Sequence, residues 1–224
     1  MAEEYELDNH ASVVIMRSRN GAYLFQLKTP GYPVKPFVGT LCIIGGNAVD
    51  EKTPLETLER ELYDEFDDKG IAREVFESAR ESKPVGDFLL TCSTKALARP
   101  RPYLFVGSVF YATLDKEVDK SSHGIKLREG GTVAVAVDTK DFETGLKDED
   151  GKGRQFCWGY DSVMSLHLRE SGIAVPVIRY FPGISVARLD SGPLTPYAQR
   201  TTPLGRIPYT DGRALNKNPI IPRG

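Results

Sequence analysis

Cysteine is scarce in this chain. Cys42, Cys92 and Cys157 are the only three among 224 residues, far apart and in no metal-type spacing. That argues against a disulfide-stapled scaffold or a zinc ribbon. It suits a reducing compartment, with the thiols acting as small buried hydrophobes. An excess of one charge is also lacking: 29 Lys and Arg stand against 31 Asp and Glu, for a net charge of −2. No global field therefore draws the chain to nucleic acid or to an anionic membrane. No apolar run approaches the length of a membrane span. The acidic, polar start MAEEYELDNH has the character of neither a secretory nor a mitochondrial signal. The expectation is a cytoplasmic protein with a small-molecule substrate, binding neither nucleic acid nor membrane. Histidine is sparse as well, and His10, His123 and His167 form no spaced cluster. No internal repeat, Gly-rich phosphate loop with a following Lys, or arguable Ser/His/Asp arrangement is visible.

What is present is an alternation of strand and helix signals in a chain long enough to bury a real core. SVVIM and AYLFQL flank Arg19-Asn20-Gly21, a hairpin signal. GYPVKPFVG is a loop with two prolines, and TLCII is a short strand that stops at Gly45-Gly46. An acidic helix follows, then a further helical segment over 70–82. FLLTCS, YLFVGSVFYATL and TVAVAV read as strands. DSVMSLHLRE reads as a late helix with Asp161 as N-cap and Gly172 as its stop. From Gly192 onward prolines recur and Arg200, Arg206, Arg213, Lys217 and Arg223 outnumber Asp211. That composition lacks a core of its own. The plan is a domain over 1–191 and an extended Pro-rich arm over 192–224, packed on its own body or joining a homodimer.

The acidic helix lies in TPLETLERELYDEF, residues 53–66. Thr53 can cap it, Pro54 suits the first helical position and Glu56 completes a capping box. At about 100° per residue, Leu55, Leu58, Leu62 and Phe66 form one apolar stripe facing the core. Measured from Glu61, Glu65 lies about 40° to one side and Asp64 about 60° to the other, with Asp68 between them. These four carboxylates share a face. Like charges so placed repel. Either the face is simply solvated, or a hard divalent cation turns the repulsion into attraction. The Gly45-Gly46 turn just upstream, where backbone can approach a ligand closely, favours the metal reading.

Gly46 followed by Arg60-Glu61-Leu62-Tyr63-Asp64-Glu65 resembles the Nudix box, G-x5-E-x7-R-E-U-x-E-E-x-G-U with U aliphatic, and the spacing from Gly46 to Arg60 matches without a gap. The resemblance covers roughly residues 10–170 and is specific in the box. Two positions depart. The first Glu of the pattern falls on Lys52, with Glu51 one residue early, and the closing Gly falls on Asp67. Glu56, one turn before Arg60, is expected to take over the pairing with that arginine. Asp64 replaces a Glu and shortens the reach.

The resemblance implies an α/β Nudix fold, a mixed sheet sandwiched between helices. It also implies Mg²⁺- or Mn²⁺-assisted hydrolysis of a diphosphate linkage, typically a nucleoside diphosphate joined to another moiety. Carried over by position, Glu61 and Glu65 would be the principal metal carboxylates, with Asp64 in support. The Gly45 carbonyl would be a further ligand, and Arg60 would hold the carboxylates in place. Glu129 stands where the family sometimes supplies another ligand or base; a solvated loop acid is the alternative. Lys28 ends its strand where a basic residue often meets phosphate, or is a plain surface lysine. Tyr32 and Phe37 either stack on a ring of the ligand or pack against the body. Trp158 reads as core. A second class stays open because fold does not fix function. In it, a protein of this fold no longer hydrolyses diphosphates, serving as a binding or regulatory module or doing acid/base chemistry on a non-phosphate substrate.

Overall fold

The structure is a computed structural model describing residues 8–51, 53–93, 103–118, 125, 127–128, 131–148, 150–173, 178, 181–189 and 192–193. Lys52, His123, Glu129 and the arm beyond Pro193 lie outside the described residues. No described helix is long and apolar enough to cross a membrane.

Two strands form the spine. β1 (Asn9–Ser18) runs parallel to β6 (Tyr103–Leu114), from Asn9 opposite Phe105 to Ser18 opposite Leu114. Beyond β6 lie β5 (Gly86–Cys92), β8 (Ile184–Arg188) and the short β9 (Gly192–Pro193), each antiparallel to its neighbour. The opposite edge of β1 is shared. β4 (Ile44–Asn47) pairs with Ala11–Val14, and β2 (Tyr23–Lys28) pairs with Met16 and Arg17. β2 then takes β3 (Leu41–Cys42) and β7 (Thr132–Val137) as partners. Among the described residues the result is a mixed sheet of nine strands. The β1–β2 hairpin turns as its Asn-Gly signal suggests: Gly21 has φ +86°, and its N–H donates to the Ser18 carbonyl at 2.9 Å.

The run Val13-Val14-Ile15-Met16 is apolar without interruption because both faces of β1 are covered. Side chains alternate across a strand. Val14 and Met16 enter one core with Leu58 and Leu62 of the acidic helix, Phe66 just past its end, and Ile71, Ala72 and Val75 of the next. Val13 and Ile15 enter the other, with Tyr160, Val163, Met164 and Leu168. α1 (Pro54–Glu65) and α2 (Lys69–Glu81) therefore cover one face. α3 (Thr139–Thr144) and α4 (Tyr160–Glu170) pack against the other. This is the expected sheet between helices.

Several local readings change. α1 opens as expected: the Glu56 amide donates to Thr53 Oγ1 at 3.2 Å, and the Thr53 amide donates to Glu56 Oε2 at 3.0 Å. It stops at Glu65, however, and Phe66 turns extended to bridge Leu127. Asp68 consequently leaves the acidic face and caps α2, accepting from the Gly70 amide at 2.8 Å. α4 begins one residue before Asp161, after left-handed Gly159. Asp161 is not its cap. It is buried in the first turn, where its carboxylate accepts from the Ser162 and Phe181 amides at 2.6 Å each. β9 carries the sheet as far as Pro193.

Candidate functional site

The split edge of β1 opens a pocket of about 240 Å³. Its walls come from Ala11 and Val13 of β1, Lys28 at the end of β2, Cys42 of β3, Gly45, Gly46 and Asn47 of β4, and Glu61 and Glu65 of α1. Tyr32, Tyr103, Phe105, Trp158 and Tyr160 complete it. One wall is acidic, the other aromatic, and Lys28 also lines the cavity.

Two glycines let the acidic wall approach the sheet. Gly45 has φ +132°, and a β-carbon there would land on the Ser12 carbonyl, with Val13 Cα at 2.7 Å. Gly46 faces the other way: a β-carbon would fall on the Glu61 carboxylate, with Oε1 at 2.7 Å. Glu61 thus rests directly on bare backbone. Arg60 holds it there. The guanidinium donates to Glu51, to Glu61 Oε1 at 2.7 Å, to the Asn47 carbonyl at 2.6 Å and to Asp64 Oδ2 at 3.3 Å. Glu51 is the anchoring partner, whereas Glu56 was expected to be. The reason is that the Glu56 carboxylate closes the capping box, while the loop before α1 swings Glu51 onto the arginine.

The charges bear this out. Burial would raise the Glu51 carboxyl, but the Val49 amide and the Arg60 guanidinium outweigh it and bring the pKa down to about 2. Burial pushes Glu61 the other way, above the ordinary carboxylate range. Arg60 opposes that rise, and Asp64 and Glu51 add to it. Glu61 is a partly desolvated anion among anions, which a cation would relieve.

Lys28 is 3% exposed, so it is not a surface lysine. Its Nζ donates to Gln26 Oε1 at 2.8 Å and stands 4.4 Å from the centre of the Tyr32 ring. Burial lifts the Tyr32 hydroxyl to about 12 against the pull of Lys28, so Tyr32 stays neutral.

The pocket therefore gathers Gly45, Glu61, Glu65, Lys28 and Tyr32. It does not include Asp64 or Phe37. Asp64 is on the outer side of α1, with its side chain 68% exposed and engaged by Arg60. Phe37 is fully buried in a short 3₁₀ turn (Lys35–Phe37), its ring 4.5 Å from Trp158 and 5.0 Å from Phe181. Asp67, at the departed box position, pairs with Arg128 at 2.8 Å. Trp158 is half-buried pocket wall where the sequence suggests core. Its φ of +58° is the only positive value at a described non-glycine residue. The Trp-Gly step, Trp158 then left-handed Gly159, is the sequence signal for that placement. Tyr103 and Phe105, hidden in a long strand signal, carry none.

Among the described residues no three His, Cys, Asp or Glu side chains are grouped to hold a metal ion. Mg²⁺ and Mn²⁺ need no such cage, since one or two carboxylates plus phosphate and water serve. Glu61 and Glu65, hard oxygen donors on one pocket wall beside the β4 backbone, suit such a cation.

No protein-family model and no curated protein matches the sequence. Solved structures do. A MutT protein from Methanosarcina mazei Go1 is 13% identical, with a TM-score of 0.50 over 75% of this chain and 97% of that one. A Nudix hydrolase from M. Smegmatis is 13% identical, with a TM-score of 0.41 over 78% and 90%. A Nudix hydrolase from Nitrosomonas europaea is 14% identical, with a TM-score of 0.40 over 78% and 98%. The last two superpose more loosely. Together with the mixed sheet between helices and the strand-Gly-Gly-helix arrangement at the pocket, the first places this chain in the Nudix fold.

Proposed function

We propose that the chain is a metal-dependent hydrolase cleaving a diphosphate linkage in a small molecule. One observation carries the reading: Glu61 and Glu65 line the same pocket as the buried ammonium of Lys28. A diphosphate ester needs both a site for its counter-cation and a donor for its oxygens. Glu61 and Glu65, with the Gly45 carbonyl, would hold Mg²⁺ or Mn²⁺. Such an ion offsets diphosphate charge, polarises phosphorus and lowers the pKa of water. Arg60, fixed by Glu51, keeps Glu61 against Gly46. Lys28, positioned by Gln26 and Tyr32, donates to phosphate oxygen. Trp158, Tyr103 and Phe105 exclude water and receive the apolar or flat part of the substrate.

A second reading has its own support. The upward shift of Glu61 suits a group that carries a proton, hence acid/base chemistry on a non-phosphate substrate. Titration calorimetry with Mn²⁺ separates the two. The hydrolase reading expects binding to the wild type and at least about tenfold weaker binding, about 1.4 kcal/mol, in both Glu61→Gln and Glu65→Gln, with unchanged circular dichroism. Equal affinity in all three proteins contradicts it.

A further inference from the structure

The cysteines, distant in sequence, do not stay apart in the fold. Leu41 and Phe156 form a parallel bridge. The Leu41 amide donates to the Gln155 carbonyl and the Cys157 amide to the Leu41 carbonyl, both at 2.8 Å. The next residue on each segment is a cysteine. Cys42 ends β3 and Cys157 opens the bend after the bridge, so the two directly follow paired residues, and both enter the same core cluster. Both are reduced and buried. Adjacent strands lie about 4.8 Å apart, inside the about 4.4–6.8 Å between α-carbons that a disulfide spans. Cys42 lines the pocket beside Lys28, and Cys157 is completely buried and precedes Trp158 in the aromatic wall.

We propose that Cys42 and Cys157 form an oxidation site at the pocket floor, which a peroxide closes to a disulfide. The sulfur of Cys42, the member of the pair that lines the pocket, takes one oxygen from hydrogen peroxide. An S–O bond forms, the O–O bond breaks, and the thiol proton leaves in a first water. The Cys157 sulfur then attacks the Cys42 sulfur. The S–S bond forms, the S–O bond breaks, and hydroxide leaves with the Cys157 proton as a second water. The two electrons lost by the thiols reduce the peroxide.

Burial holds the Cys157 thiol well above its ordinary pKa; Cys42 reinforces this and Lys28 opposes it. Cys157 is thereby held as the thiol, so the reaction is slow and depends on oxidant entering the pocket. The disulfide ties β3, which leads into Gly45-Gly46, to the residue before Trp158. Oxidation thereby fixes the acidic wall's strand to the aromatic wall.

The chain carries its own reporter, because Trp158 is its single tryptophan. The full-length protein is treated with hydrogen peroxide and digested without reduction, and its peptides are weighed. The expected product is a Cys42–Cys157 cross-linked peptide with the loss of two hydrogens, restored by dithiothreitol. A matching reversible change in Trp158 emission is expected in the wild type and in Cys92→Ala, and none in Cys42→Ala or Cys157→Ala. Absence of the cross-link in the wild type overturns the proposal, whatever the variants do. So does a cross-link that uses Cys92, or an unchanged emission response in folded Cys42→Ala.

Discussion

Gly45 and Gly46 are neighbours, yet each is required for a different reason, and the difference can be measured. At Gly45 the obstacle is backbone, the Ser12 carbonyl and Val13 Cα, and φ is +132°. Gly45→Ala should cost on the order of 1–3 kcal/mol or more and lower the melting temperature. At Gly46 the obstacle is the end of the flexible Glu61 side chain. Gly46→Ala should keep the fold and displace the carboxylate, weakening Mn²⁺ binding about tenfold, some 1.4 kcal/mol. Thermal melts and calorimetry on the two variants should show this crossed pattern; equal melting losses would contradict it. A third residue sets a pH response. Burial, with help from the Arg17 charge, depresses His167 from 6.5 to about 4. Its Nε2 lies 3.4 Å from the Tyr23 hydroxyl. Between those values the unfolded chain takes up a proton that the folded chain refuses, so stability falls as pH drops through the window. Asp161, raised to about 6 by burial against its amide hydrogen bonds, acts in the opposite sense by losing stability as pH rises. The test is therefore a difference: from about pH 7 to about pH 4.5 the wild type should lose more melting temperature than His167→Gln.

At the scale of the element, α1 was the most legible part of the chain, and its errors have identifiable causes. The capping box and the Leu58, Leu62 and Phe66 stripe were readable because they depend on neighbours in sequence. Helical rotation placed Asp64 and Asp68 with Glu61 and Glu65, but rotation gives directions and not boundaries. The pocket edge passes between Glu61 and Asp64, and the helix breaks before Asp68. Helical spacing points Arg60 to Glu56 and misses Glu51, because Glu51 lies in the loop before the helix, where spacing says nothing about reach. The consequence is a reversed ranking. Glu51→Ala should release Arg60 and misplace Glu61, lowering activity by on the order of a hundredfold. Glu56→Ala removes part of a helix cap and should lower stability by about 1 kcal/mol with little change in rate. Activity assays beside melts on both variants decide this; a larger activity loss in Glu56→Ala would restore the other pairing.

For the whole molecule, the layered architecture is what the resemblance in the box implies, and the fold gives its physical basis: side chains alternating across β1 enter two cores at once. The pocket was legible on its acidic side and, outside it, at Lys28 and Tyr32. Its aromatic wall joins Tyr32, Tyr103, Phe105, Trp158 and Tyr160 from segments far apart in sequence, and such convergence exists only after the sheet has closed. The same closure brings Cys42 against Cys157, which sequence spacing had set apart. All these features meet in one claim, that the pocket hydrolyses a diphosphate with the help of a cation held by Glu61 and Glu65. Phosphorus NMR of a broad panel of diphosphate esters, incubated with the protein and Mg²⁺ or Mn²⁺, tests it most directly. The account predicts that at least one ester is split into phosphomonoester products, that chelation stops the reaction, and that Glu65→Gln abolishes it. Intact diphosphates throughout the panel with either metal, or cleavage that survives in Glu65→Gln, would contradict it.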